Sequence, residues 1–117
     1  MAVVFVLLVL SADPKPIDLG ALSLERARVL DGKAVTVSLL VQKPPYTLLG
    51  RTMVGTADRD DGAERGAVLL GRRPDVREGE RVTVRGRLRL LRHAPDTVNG
   101  AAVPSWWEVR VEESRDR

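Results

Sequence analysis

Residues 81–92 (RVTVRGRLRLLR) constrain the chain more than any other stretch, because polar and apolar residues alternate through them with a period of two. That period belongs to a β-strand, whose successive side chains point to opposite faces. Val82, Val84, Leu88 and Leu90 point inward, and Thr83, Arg85, Arg87 and Arg89 point outward. Gly86 interrupts the apolar row where a strand bends sharply to close a barrel.

Lys33–Gln42 and Ser105–Glu113 share this period. In the first, Val35, Val37, Leu39 and Val41 face one way and Thr36, Ser38, Leu40 and Gln42 the other. In the second, Trp107, Val109 and Val111 face inward, with Trp106, Glu108, Arg110 and Glu112 outward. Lys43-Pro44-Pro45 ends the earlier strand, since neither proline can donate to a ladder. Tyr46–Ala57 reads as one strand with Gly50 and Gly55 as sites of bend or bulge. The polar stretch Asp58–Gly66 reads as a turn, and Ala67–Leu70 as the strand that pairs back in a hairpin. Gly71–Glu80, with Pro74 and Gly79, reads as a loop, and Ala94–Pro104, with Asn99-Gly100, as a turn-bearing loop.

A single short helix precedes these strands. Ser23 is placed to cap it, Glu25 lies in its first turn, and Leu24, Ala27 and Leu30 form a narrow apolar stripe. Gly32 ends it as a left-handed residue would. About two turns long, it needs packing to be stable.

The N-terminal residues read differently. Ala2–Leu10 is an unbroken apolar run followed by Ser11-Ala12 and by Asp13-Pro14-Lys15-Pro16. A membrane-spanning helix needs about 20 apolar residues, so the run is too short for one. It fits the apolar segment of a signal peptide over residues 1–12, with cleavage after Ser11 or Ala12 and a Pro-rich linker over 13–22. No Lys or Arg precedes the run, and the segment is short for an export signal; a start codon placed too far downstream accounts for both. The alternative is a buried strand, since Val-Val-Phe-Val is strongly β-prone.

The 117 residues have room for one domain, and with 44% hydrophobic and 30% charged residues the chain is too apolar for disorder. Only Phe5, Tyr46, Trp106 and Trp107 are aromatic, so the core must be built mainly from Val and Leu. The absence of cysteine removes disulfides, thiolate zinc sites, cysteine nucleophiles and a lipoprotein anchor together.

Five strands, bend glycines and two alike Gly-turn entries, Asp31–Val37 (DGKAVTV) and Glu78–Val84 (EGERVTV), resemble the OB fold, a five-stranded Greek-key barrel. The helix running into DGKAVTV and the segment REGERVTVRGRL are similar to the bacterial tRNA_anti-like OB family. The resemblance covers residues 23–113 and implies a mainly β, small OB-like barrel with a short N-terminal helix, followed by a charged tail at 114–117. Gly71–Glu80 departs from many OB domains, which carry a helix there.

No catalytic constellation is visible. His93 is the only histidine and lacks a partner motif, which favours a strand-end residue over a base. Asp58-Arg59-Asp60-Asp61-Gly62 fails as a calcium loop in both registers, because ligand positions fall on Ala57 and Arg59 or on Leu69. Gly66–Gly71 has phosphate-loop glycine spacing, but Arg72-Arg73 follows it in place of Lys-Ser/Thr. Neither an enzyme, a metal nor a cofactor is expected.

Binding residues are easier to nominate. The formal charge of +3 is carried by sixteen Arg and three Lys. Arg85, Arg87 and Arg89 recur at ~6.8 Å on one strand face. They could track a phosphate backbone, but pairing with Glu108, Glu112 and Glu113 on a neighbouring strand is the favoured account. OB barrels bind ligands on strands two and three between the loops joining strands one–two and four–five, which the resemblance maps onto Tyr46, Arg51 and Trp106. The leading expectation is a non-catalytic, extracytoplasmic (periplasmic or secreted) module that binds a protein, glycan or small molecule through the Tyr46/Trp106 rim. The alternative is a single-stranded nucleic-acid-binding domain using that rim and the arginine row.

Overall fold

The structure, a computed structural model, describes residues 15–57 and 61–115. The segment 1–12 read as a signal peptide, the start of the stretch read as a linker, Asp58–Asp60 of the expected polar turn and the last two residues of the tail lie outside it. Of the described residues 52% are in strands and 10% in helix. The fold is mainly β, with one multistranded sheet and one short α-helix.

Strand β1 (Ile17–Asp18) leads into a 3₁₀ turn (Leu19–Ala21) and helix α1 (Leu24–Leu30). Residues 17–21, read from the sequence as linker, thus carry regular structure, and Leu19 and Leu22 are buried in the core. Ser23 Oγ accepts the Arg26 N–H at 3.1 Å and caps α1. Its stripe packs as the spacing predicts, with Ala27 buried and Leu24 and Leu30 against the core. Gly32, at φ +82°, turns the chain so that its N–H reaches Leu88 O at 2.7 Å.

From there β2 (Ala34–Leu40) enters the sheet, followed by β3 (Tyr46–Leu48), β4 (Arg51–Gly55), β5 (Ala63–Leu69) and the long β6 (Arg81–His93). A separate two-stranded ribbon, β7 (Asp96–Val98) and β8 (Ala101–Val103), precedes β9 (Trp106–Glu113). The main sheet has seven strands in the order β1-β2-β6-β9-β5-β4-β3. All neighbours are antiparallel except β1–β2 and β5–β9.

The sheet departs from the expected five-stranded closed barrel in three places. Tyr46–Ala57 is two strands, because Leu49 (φ +53°) and Gly50 (φ +77°) make a two-residue turn that folds β3 back on β4. β5 begins at Ala63, four residues before the sequence suggested. Its charged residues Glu64 and Arg65 disguise it, yet Arg65 takes an inward position. The sheet also stays open between its β1 and β3 edges. It curls far enough for the Gln42 and Lys43 N–H groups to reach Gly55 O, at 2.9 and 3.2 Å. Pro44 and Pro45 follow at once, and without N–H groups they cannot extend these two bonds into a ladder.

The core is aliphatic. Its largest fully buried side chains are Leu19, Leu39, Leu69 and Leu88 with Val37, Val41, Val84, Val109 and Val111. Trp107, expected inward, is only half-buried at the end of the sheet, under the guanidinium groups of Arg28 and Arg92 at 5.7 and 5.4 Å from its ring centre. Arg65 has a side chain with no solvent exposure. It donates to Leu22 O at 2.8 Å and Ala63 O at 2.9 Å and forms a forked pair with Asp61 at 2.7 and 3.2 Å, tying the lead into α1 to β5.

Candidate functional site

Residues paired in register share a face of the sheet. On the outer face this places Gly55 of β4 opposite Gly66 of β5, and Gly66 beside Arg110 of β9. Two facing glycines leave that patch without side chains, and a groove of about 90 Å³ opens there. Tyr46 and Met53 wall it on one side and Glu108 and Arg110 on the other, with Lys43 and Pro44 at its end. The two glycines are not equivalent. A Cβ on Gly66 would lie 2.6 Å from Val54 O, whereas one on Gly55 would make ordinary contacts of 3.5 and 3.8 Å.

The ionic wall is a network. Glu108 accepts from His93 Nε2 at 2.7 Å and from Arg110 Nε and Nη2 at 2.8 and 3.0 Å. Burial alone would push the Glu108 carboxyl up, but the hydrogen bonds and charges of Arg110 and His93 together outweigh it and hold the carboxyl below its ordinary value. The hydrogen bond to Glu108 raises Arg110 in turn, against the opposing effect of burial. Glu64 stands directly across from Glu108, and Lys43 faces it at 4.0 Å. Trp106 stacks on His93, ring centres 4.0 Å apart and planes 14° from parallel. His93 therefore has a carboxylate and an aromatic partner, both on β9 and neither adjacent to it in sequence.

Of the three rim residues nominated from sequence, Tyr46 lines the groove and is well exposed. Arg51, across from Leu48 on the β3–β4 hairpin, is exposed outside it. Trp106 lies away from Tyr46. The register line from Tyr46 runs through Met53 and Val68 to Glu112, six residues along β9 from Trp106. At ~3.3 Å per residue that is about 20 Å along the strand. Sequence reasoning missed Met53, Gly66, Glu108 and Arg110 as one site. The outward alternation of Glu108 and Arg110 was visible, but Gly66 read as part of a turn, Met53 carried no phase, and the parallel β5–β9 pairing that assembles them was not legible.

Arg85, Arg87 and Arg89 are all exposed on β6. The carboxylates expected to neutralise them are engaged elsewhere: Glu108 as above, Glu112 with Arg110 at 3.9 Å, and Glu113 with Arg73 and the Leu70 N–H. Arg87 faces Glu112 in register but donates to Gly32 O. Among the described residues no ion pair involves any of the three. Nor does any group of three or more His, Asp or Glu among them gather as for a metal ion, and no helix is long and apolar enough to cross a membrane.

Comparison with protein-family models, curated proteins and solved structures gives no match.

Proposed function

We propose that this chain is a non-catalytic, OB-like binding module, exported from the cytoplasm, that grips one group of a larger partner in the groove at Tyr46. The OB-like part of the reading is supported by the path of the chain. After β5 it crosses to pair β6 with β2, then returns β9 between β6 and β5 in a curled, incompletely closed sheet, as in a partly open Greek-key barrel. Export is supported by the apolar run Ala2–Leu10 and the small residues after it.

The groove carries the functional reading. Sites that enclose free small molecules measure about 300–1,000 Å³. A groove of about 90 Å³ holds one side chain or one sugar ring, not a cofactor. Its mixed walls, Tyr46 and Met53 against the Glu108–Arg110 pair, suit a group with an apolar face and a polar edge. A protein or glycan chain that inserts one such group fits better than a free metabolite.

Screening peptide and glycan arrays, then repeating the best binder with Tyr46→Ala and Gly55→Ala, tests the groove. Both variants should keep the fold, since Tyr46 is exposed and a Cβ on Gly55 meets only ordinary contacts, and each should weaken binding at least fivefold; unchanged affinity in both sinks the reading. N-terminal sequencing of the protein from fractionated cells tests export, and a retained Met1 in the cytoplasmic fraction would reject it.

A further inference from the structure

The β3–β4 hairpin carries at its tip a residue ill suited to its backbone. Leu49 is held at φ +53°, a left-handed conformation that two-residue hairpin turns reserve for Asn, Asp or Gly. The chain places Asn99 at the same position of its other such turn, at φ +52°. The Leu49 side chain gives the fold nothing in return, being 92% exposed. Leu48 before it is 53% exposed, so two adjacent leucines form a convex apolar tip at the edge of the sheet. A strained position whose side chain packs on nothing points to a use outside the chain. Basic residues stand behind the tip. Arg51 lies across from Leu48. Thr52 Oγ1 donates to Gly71 O at 3.3 Å and accepts the Arg73 N–H at 2.8 Å, which holds Arg72 beside the hairpin. Residues 46–55 and 71–75 together carry three Arg against one Asp. Arg73 is taken by Glu113, whereas Arg51 and Arg72 are exposed and form no ion pair among the described residues.

We propose that the hairpin tip docks on an anionic lipid bilayer, with Leu48 and Leu49 entering the headgroup–acyl boundary and Arg51 and Arg72 resting on lipid phosphates. A bilayer presents an anionic plane directly above an apolar layer, which matches an apolar tip with guanidinium groups set just behind it. Guanidinium groups pair with phosphate through two parallel hydrogen bonds. A second copy of the chain is a poorer match, because a two-fold contact through the tips would set Arg51 and Arg72 of both copies against each other. Two leucines are a small anchor, so attachment is reversible and depends on the anionic lipid. Leu48, Leu49, Arg51 and Arg72 stand outside the groove, so the outcome on vesicles leaves the groove reading untouched.

The chain has no cysteine, so a single introduced one carries a polarity-sensitive fluorophore to a chosen place. On vesicles of phosphatidylcholine mixed with phosphatidylglycerol, the label at Leu49→Cys should shift to the blue. The label at Val98→Cys, on the ribbon at the opposite end of β9, should stay in water. In flotation with the same vesicles, Leu49→Asn should weaken binding about fivefold while its thermal melt shows no loss of stability. Arg51→Ala/Arg72→Ala should weaken binding at least about tenfold and also leave the melt unchanged, both residues being exposed. Vesicles of phosphatidylcholine alone should bind weakly and be indifferent to the arginine pair. No flotation of the wild type, or unchanged binding in Leu49→Asn, overturns the proposal. So does a label at residue 49 that stays in water on bound vesicles, which would assign attachment to the apolar run Ala2–Leu10 or another surface. A dimer in sedimentation that Leu49→Asn dissolves overturns it too, giving the tip to a second copy.

Discussion

The β6–β9 pair and the β3–β4 hairpin belong to one sheet but obey different constraints. In the first, Gly86 pairs with Val35 of β2 on one side and Glu113 of β9 on the other. A Cβ there would have backbone on top of it, 1.9 Å from Glu112 O and 2.9 Å from Glu113 Cα. The hairpin is the reverse. It ends the sheet, leaves Tyr46, Leu48 and Leu49 exposed, and holds Leu49 at a positive φ that costs a branched aliphatic residue about 1–2 kcal/mol. The ribbon turn Asn99-Gly100 has nearly the same dihedrals, φ +52° and +81°, with the residues such turns prefer. The centre of the sheet therefore admits little change, while its edge tolerates an unfavourable residue.

Gly86→Ala should break the centre outright. With backbone as the obstacle, relief requires parting β6 from β9, and a loss of at least about 4 kcal/mol in urea unfolding is expected. A loss below about 1 kcal/mol would mean that β6 bends elsewhere. Arg65→Ala comes next, at about 3 kcal/mol by the same measurement, because Leu22 O and Ala63 O lose their donor inside the fold. At the edge, Leu49→Asn should stabilise the protein by about 0.5–1 kcal/mol, reproducing the Asn-Gly pair of the other turn.

The smallest effect is expected in acid. The Glu108 carboxyl is held below its ordinary value, so its charged form contributes stability above pH 4.5. That contribution falls away as the pH drops through the lowered folded value. Urea midpoints at neutral pH and near pH 3 should therefore converge for Glu108→Gln relative to wild type, which loses more on acidification.

Alternation made the centre legible in advance. The strands at 81–92 and 105–113, the break at Pro44-Pro45 and the Ser23 cap follow from residue chemistry acting over a few positions. What escaped was set by distant partners or by atypical residues. Arg65 occupies an inward position that the code of apolar-in, polar-out assigns to solvent, and it does so because Asp61 and two carbonyls satisfy it. Leu49 hides a turn, since no propensity marks leucine for a left-handed backbone. The groove depends on which strands become neighbours, and alternation records the face of a residue but not the strand beside it. The same limit separated Tyr46 from Trp106, which the resemblance to OB barrels had placed on one rim.

The β7–β8 ribbon bears on how such a chain could diversify. It pairs with itself, stands outside the main sheet and leaves from His93 to re-enter at Trp106. Lengthening, shortening or replacing residues 96–103 would leave every ladder of the sheet intact. Each variant arm would still emerge beside the stacked His93 and Trp106 rings. Selection, or an engineer grafting a recognition loop, could therefore retune what is met at that end of the molecule without renegotiating the fold.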